Sequence, residues 1–348
     1  MYEAFYGLTG RPFQLTPDHR FFYSSPGHTR ALAYLRYGLE QQEGFVVVTG
    51  GVGTGKTILA LTLLDEIQPR QILGALLVTT RLGPEDLLRM VCAAFGLLHE
   101  GLGKAALFDA LQGFARSRFS EGQRILLVLD EAHHLPAASL EELRVLEGVR
   151  FNGQSLFQTF LFGQDELRDT LRHAGTEQLR QRVIAAHHLE PLSGEETRAY
   201  IEYRLACVNW SGSPALADDV FDAVHAHCGG VPRRINTLCD RLFLFGYTEE
   251  KLELTQSDVG AVIGQVTRER VHGEELRGNG GDARLSKRVQ GVADIGSRPA
   301  GADPGVLVRL AALEAELASL RQVVKKERQL LRKAILLQLD LDGYDELD

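Results

Sequence analysis

Eight consecutive residues, Gly50-Gly51-Val52-Gly53-Thr54-Gly55-Lys56-Thr57, carry the spacing G-x-x-x-x-G-K-[ST]. That spacing suits the binding of phosphates. Glycines let the backbone approach an anion and turn successive N–H groups toward it. The helix that follows adds positive potential at its N-terminus, starting at Ile58. Lys56 can then meet the β- and γ-phosphates of ATP as a point charge, and the Thr57 hydroxyl can bind Mg²⁺. A second constellation stands about 75 residues on, where the apolar run Ile125-Leu126-Leu127-Val128-Leu129 ends in Asp130-Glu131. Asp130 suits the carboxylate linked to Mg²⁺, and Glu131 the group that orients and polarises an attacking water. Gln164 ends a third apolar run and is expected beside Asp130. It either senses the γ-phosphate or holds the water, or else caps the helix after Asp165. His187 and His188 are adjacent, so in a strand they face opposite ways and make a poor metal pair.

These groups need a sheet to hold them. Phe45–Thr49, Ile72–Val78, Arg124–Asp130, Phe157–Gln164 and Val183–Leu189 read as strands, the third of them apolar enough to be covered on both faces. Helical patterns over 28–41, 58–67, 85–95, 105–117 and 140–149 lie around and between them. This is an α/β class with ligands expected at the carboxyl ends of the strands. Residues 1–44 begin with Phe5, Phe13, Phe21, Phe22 and Tyr23 among Pro12, Pro17 and Pro26, an irregular aromatic segment. It is expected either to pack over the sheet edge or to wall an adenine pocket.

The composition changes at Pro191. Ser193 with Glu196 forms a capping box that opens a helix to Cys207. Helices follow over 218–228, 232–245 and 256–266, with no strand pattern between them. The expected organisation is an α/β nucleotide-binding domain over 1–192, a helical lid over 193–267, a Gly-rich linker over 268–305, a coiled-coil helix over 306–339 and an acidic tail over 340–348. The coiled-coil seam is Leu310, Leu313, Leu317, Leu320 and Val324.

The net charge of −8 argues against a general nucleic-acid binder. Four cysteines without C-x-x-C or zinc spacing read as thiols of a reducing compartment. No signal peptide and no apolar stretch of about 20 residues is visible. A cytoplasmic protein is expected, able to sit at the inner membrane through a partner.

Residues 1–267 resemble the AAA+ ATPases of the general secretion pathway protein A (ExeA/GspA) type, and most closely those of exosortase/PEP-CTERM exopolysaccharide loci. The resemblance rests on Phe5-Tyr6-Gly7-Leu8, Pro12-Phe13-Gln14-Leu15-Thr16-Pro17-Asp18, the phosphate loop, Leu129-Asp130-Glu131-Ala132, Leu161-Phe162-Gly163-Gln164, Leu179-Arg180-Gln181-Arg182 and Gly229-Gly230-Val231-Pro232-Arg233-Arg234-Ile235-Asn236. It implies a five-stranded P-loop NTPase sheet with order 5-1-4-3-2, a C-terminal helical lid and a ring-type homo-oligomer. It further implies that Arg182 is an arginine finger toward a neighbouring subunit, with Arg180 the alternative, and that Arg233 senses nucleotide within its own subunit. The implied cofactors are ATP and Mg²⁺, the implied activity ATP hydrolysis, and the implied partners secretion or export machinery. The sequence departs from that family at His133, where Gln is usual. It also has a linker and coil where the family places a membrane span and a peptidoglycan-binding region. A DNA-associated AAA+ regulator of the transposition type shares the core motifs and is the competing expectation.

Overall fold

Strand β1, Phe45–Gly50, is buried at all six positions and lies inside a five-stranded parallel sheet. The computed structural model describes residues 1–16, 18–67, 71–78 and 81–278. The other strands are β2 (Ile72–Val78), β3 (Arg124–Asp130), β4 (Phe157–Gly163) and β5 (Val183–Leu189). Their spatial order is β5-β1-β4-β3-β2, the order that the resemblance implies. Burial explains which strands are central. β4 is buried throughout and β3 at all but its first residue, whereas β2 and β5, at the edges, alternate with exposed positions. The register pairs Thr49 with Gly163 and with His188, and Leu129 with Leu161. The carboxyl ends of β1, β3 and β4 thus come together where the chain order reverses, the usual place for a ligand in an open α/β sheet.

Helices cover both faces. α1 (Pro26–Gln41) and α2 (Lys56–Ile67) place Leu35, Leu59 and Leu63 against Val46, Val48 and Phe160. On the opposite face α3 (Pro84–Ala94), α4 (Lys104–Ser120) and α5 (Ala137–Glu147) bring Leu87, Leu111 and Leu143 onto Val47, Leu127 and Leu161. The short α6 (Asp165–Arg172) follows β4. Beyond β5 come α7 (Gly194–Ala206), α8 (Asp218–Cys228), α9 (Pro232–Thr248) and α10 (Gln256–Gly278), which share a core of their own. The Ser193–Glu196 capping box at the head of α7 has both of its hydrogen bonds, at 3.2 and 2.7 Å.

Three expectations differ from the structure. Among the C-terminal helices, where no strand pattern was expected, Ala215–Leu216 and Glu253–Leu254 form a short parallel pair. Of the N-terminal aromatics only Phe22 packs against the core of the sheet domain. Tyr2, Tyr6 and Phe13 join the core of the C-terminal helices, each with its ring against Phe243. Helices already cover the sheet faces, so the apolar surface left for these rings is that of the bundle. Arg204, buried on α7, satisfies this irregular stretch by donating to the carbonyls of Pro12 (2.5 Å) and Gln14 (3.2 Å). The last helix continues past Val266 to Gly278, because residues 267–277 are rich in Arg and Glu, good helix formers without an apolar stripe. Up to Gly273 these elements belong to one compact unit. The remainder of the expected linker, the coiled coil and the acidic tail lie outside the described residues.

Candidate active site

The phosphate loop turns between β1 and α2 through two left-handed glycines, Gly53 at φ +82° and Gly55 at φ +105°. Neither position has room for a side chain. A Cβ at Gly53 would stand 2.6 Å from the Arg233 Cβ, and one at Gly55 2.6 Å from the His28 Nε2. Lys56 opens α2 and is 5% exposed; its ammonium donates to the carbonyls of Gly50 and Gly51, both at 2.8 Å. Burial pulls its pKa down, against the opposing pull of Glu131 and Asp130. His28, absent from the expected site, holds the loop from outside. Its Nε2–H donates to the Thr54 carbonyl at 3.1 Å, and Nδ1 accepts from the Ser25 hydroxyl at 2.8 Å. Burial lowers its pKa and favours this neutral form.

Asp130 and Thr57 come from different ends of the motif set and meet. The Thr57 hydroxyl donates to Asp130 Oδ2 at 2.5 Å, and Asp130 Oδ1 accepts the Glu131 N–H at 2.9 Å. Glu131 adopts a left-handed conformation at φ +53°. For a residue with a side chain that costs on the order of 1–3 kcal/mol and is found mostly where function requires it. Its Oε2 is buried and has no hydrogen-bond partner. His133 Nδ1 approaches that oxygen to 3.3 Å without hydrogen-bond geometry. On its other side the His133 ring meets the Gln164 amide, Nε2 to Nε2 at 3.0 Å. Gln164 therefore does not cap α6 with its side chain; it reaches across to the turn after β3. Burial pushes the His133 pKa down, with His134 acting in the same direction.

A cavity of about 370 Å³ runs from the phosphate loop to the N-terminal segment. Lys56, Thr57 and Glu131 line one end; Phe21, Phe22 and Tyr23 line it from the N-terminal segment, and Tyr200 from α7. The aromatic segment thus lines the cavity into which the phosphate loop opens. Arg233, at the start of α9, lines the cavity too, and its backbone N–H donates to the Gly53 carbonyl at 3.2 Å. Tyr200, Arg204 and Asn236 form a buried chain of hydrogen bonds, each link 2.8 Å. Asn236 closes the Gly229–Asn236 run noted in the sequence, whereas Tyr200 and Arg204 belong to no such run.

Arg182 lies elsewhere. Its carbonyl accepts from the Phe45 N–H, at the amino end of β1 and so at the edge of the sheet opposite the phosphate loop. Its guanidinium pairs with Glu147, whose side chain is 2% exposed. Arg180 is more exposed and has only a loose pairing with Glu177 at 3.7 Å. His187 stacks on Tyr34, while His188 meets Thr49, in keeping with the expected divergence of the pair.

The two glycines that no Cβ could replace, together with buried Lys56, form a cradle for a nucleoside triphosphate tail. Thr57 and Asp130 offer adjoining hard oxygen donors of the kind that Mg²⁺ prefers. Fold and site together define a P-loop NTPase with an AAA architecture. Residues 39–171 match the family described as AAA domain. Over 271 residues the chain is 35% identical to general secretion pathway protein A of Aeromonas hydrophila, a match that takes in 77% of this chain and 49% of that protein. The chain thus spans about half the length of this curated relative. Among solved structures, the fold is similar to the ORC2 protein of Aeropyrum pernix in its ADPNP-ADP complexes (TM-score 0.54, 17% identity, covering 73% of this chain and 71% of that one). It is also similar to Cdc6p of Pyrobaculum aerophilum (TM-score 0.56, 14% identity, covering 72% and 71%). At these identities the likeness is one of fold.

Proposed function

We propose that the chain is an ATP-hydrolysing AAA protein that powers or regulates an envelope secretion system, of the exopolysaccharide-export kind found in exosortase/PEP-CTERM loci. The observation that carries the enzymatic part is the 2.5 Å contact of Thr57 and Asp130 beside Glu131, at the mouth of the phosphate loop. The 35% identity to general secretion pathway protein A supports the secretion part.

In this reading ATP lies along the cavity with its base toward Phe21, Phe22 and Tyr23. The loop residues Gly50 to Thr57 and the first turn of α2, with Ile58, hold the phosphates, and Arg233 faces the same tail. Thr57 and Asp130 would hold Mg²⁺, which when bound would neutralise charge on the phosphate oxygens. Glu131 accepts a proton from the attacking water, and its free Oε2 is the lone pair for that task. Gln164 positions that water or reads the γ-phosphate through the His133 ring. An arginine of the Leu179–Arg182 turn, Arg182 or Arg180, completes the site of a neighbouring subunit in a homo-oligomeric ring. The sheet domain to residue 192 and the helices to residue 267 act as base and lid. The protein works in the cytoplasm or peripherally at the inner membrane; among the described residues no helix is long and apolar enough to cross one.

Phosphate release by the purified chain, with and without Mg²⁺ and across protein concentrations, tests the enzymatic reading. Turnover that is absent at every concentration would sink it. Export by cells carrying Glu131→Gln tests the secretion role, and undiminished export would exclude it.

A further inference from the structure

The aromatic end of the cavity holds one polar group with a spare donor. Asn236, on α9, is 6% exposed and lines the cavity one helical turn beyond Arg233. Its neighbours place it beside the aromatic wall. Its side chain meets the Tyr200 phenol at 2.8 Å, and the Tyr200 ring stands edge-on to Tyr23 with centroids 5.9 Å apart. Arg204, the other partner of that phenol, lies over the Phe21 ring at 4.8 Å.

The oxygen and nitrogen of an amide exchange by a half turn, so the 2.8 Å contact alone leaves both orientations open. The rest of the chain decides between them. A guanidinium only donates, so the bond from Arg204 ends on the phenol oxygen. Burial pushes the Tyr200 pKa up, and the phenol keeps its proton. That proton needs an acceptor, and the Asn236 oxygen is the one at hand. With the amide reversed, a buried O–H would be left unpaired, which costs more than a made bond gains. Each group therefore donates to the next, from Arg204 to Tyr200 to Asn236, and such a chain strengthens its last donor. That donor is the Asn236 Nδ2, which has no hydrogen-bond partner among the described residues. Unlike Glu131 Oε2 it is not sealed off, and what it faces is the cavity.

We infer that Asn236 is the residue that reads the base, its amide N–H donating to a ring nitrogen of adenine. The inference rests on the reading above, in which ATP lies with its base toward Phe21, Phe22 and Tyr23. Aromatic rings take the face of any base and do not choose among them. A donor of fixed direction does choose. Its partners on adenine are N1, N3 and N7, the ring nitrogens that carry no hydrogen. A base with C–H at the matching position leaves the N–H buried and unpaired, the kind of mismatch that polar sites reject most strongly. Tyr200 and Arg204 act behind Asn236 as positioning residues.

The test measures the affinity of the full chain for ATP and for 1-deaza-, 3-deaza- and 7-deaza-ATP, each with one ring nitrogen replaced by C–H, in competition with a fluorescent ATP analogue. One of these analogues is expected to bind the wild type about tenfold more weakly than ATP. Asn236→Asp keeps the shape and the acceptor for Tyr200 but has no N–H. ATP and the analogue carry the same phosphates, so the added charge cancels in their ratio. In this variant the penalty should vanish or invert, because a carboxylate oxygen opposes the ring nitrogen. Asn236→Ala, with its folding checked by melting temperature, should abolish the penalty as well. Equal binding of ATP and all three analogues by the wild type overturns the inference, as does a penalty that survives in both variants. A penalty confined to 2′-deoxy-ATP and lost in the variants would assign the amide to the sugar and overturn it too. A wild type that binds no ATP sinks the reading of the cavity and this inference with it. ATP binding that is lost in Lys56→Ala but shows no deaza penalty leaves that reading standing, and the inference fails alone.

Discussion

The Arg182 guanidinium is paired with Glu147, a carboxylate 2% exposed that also accepts the Gly44 N–H at 3.1 Å. An arginine matched by sequence to a trans-acting role therefore also neutralises a buried charge of its own subunit. Removing one partner of a buried pair costs about 3–5 kcal/mol. Arg182 is itself about a third exposed, so the loss expected for Arg182→Ala is roughly 2–3 kcal/mol. Arg180→Ala, at a surface position, should stay within about 0.5 kcal/mol. Denaturant melts of the two variants check this. Turnover in mixtures of each variant with Glu131→Gln then identifies the trans arginine: partial recovery marks the residue that acts across the interface, and recovery with neither would end the trans assignment.

Lys56→Ala is expected to abolish nucleotide binding and hydrolysis together, because the same ammonium neutralises phosphate charge before and during reaction. Binding of a fluorescent ATP analogue is the measurement. Affinity within about twofold of the wild type would move phosphate recognition away from this loop.

Glu131→Gln keeps the shape of the side chain and removes the base. ATP affinity should be retained while turnover falls by about 10²-fold or more. Unchanged turnover would transfer the role to His133 or Gln164.

His133 touches both Glu131 and the Gln164 amide and is expected to act as a positioning residue. His133→Ala should lower kcat on the order of tenfold with little change in KM. His133→Gln, which can still bond the Gln164 amide, should restore most of it. A KM effect alone, or no rescue by Gln, would mean that the ring only fills space.

Asp258 supplies a pH test of the C-terminal bundle. Burial opposes its ionisation, but Lys251 at 2.5 Å and the Thr255 N–H at 2.9 Å outweigh it and hold the carboxyl below its usual range. A depressed folded-state pKa stabilises above the unfolded value, about 3.9, and the contribution fades as pH falls through the folded value. Asp258→Asn should therefore cost about 1–2 kcal/mol at pH 7, with the gap to wild type closing below pH ~4. A gap that is constant from pH 7 to 3 would contradict the pairing.

The strands and the phosphate loop were legible in the sequence because their signals are local. A covered parallel strand is an apolar run, and β1 and β3 are such runs, while β4 is one from Phe160 on. The Ser193 cap is legible for the same reason, its two bonds spanning three residues. What escaped is what depends on distant partners. His28 reaches Thr54 across 26 residues and Arg204 reaches Pro12 across 192, and no periodicity announces either contact. The same holds for Glu147, whose burial on α5 gives no hint that Arg182 is its partner. The aromatic N-terminal segment was recognisable as an anchor, but its composition does not distinguish the sheet from the helical bundle as the surface it meets.

The hydrogen bond from the Arg233 backbone to the Gly53 carbonyl has a mechanical consequence. The bundle is hooked to the phosphate loop by α9 and, through Arg204 and the rings around Phe243, carries the N-terminal segment on its flank. Phe21, Phe22 and Tyr23 belong to that segment. The bundle thus touches the phosphate loop through Arg233 and carries Tyr200 and part of the aromatic lining at the other end of the cavity. In the proposed reading, a displacement of α9 away from Gly53 would loosen the hold on phosphates and base together.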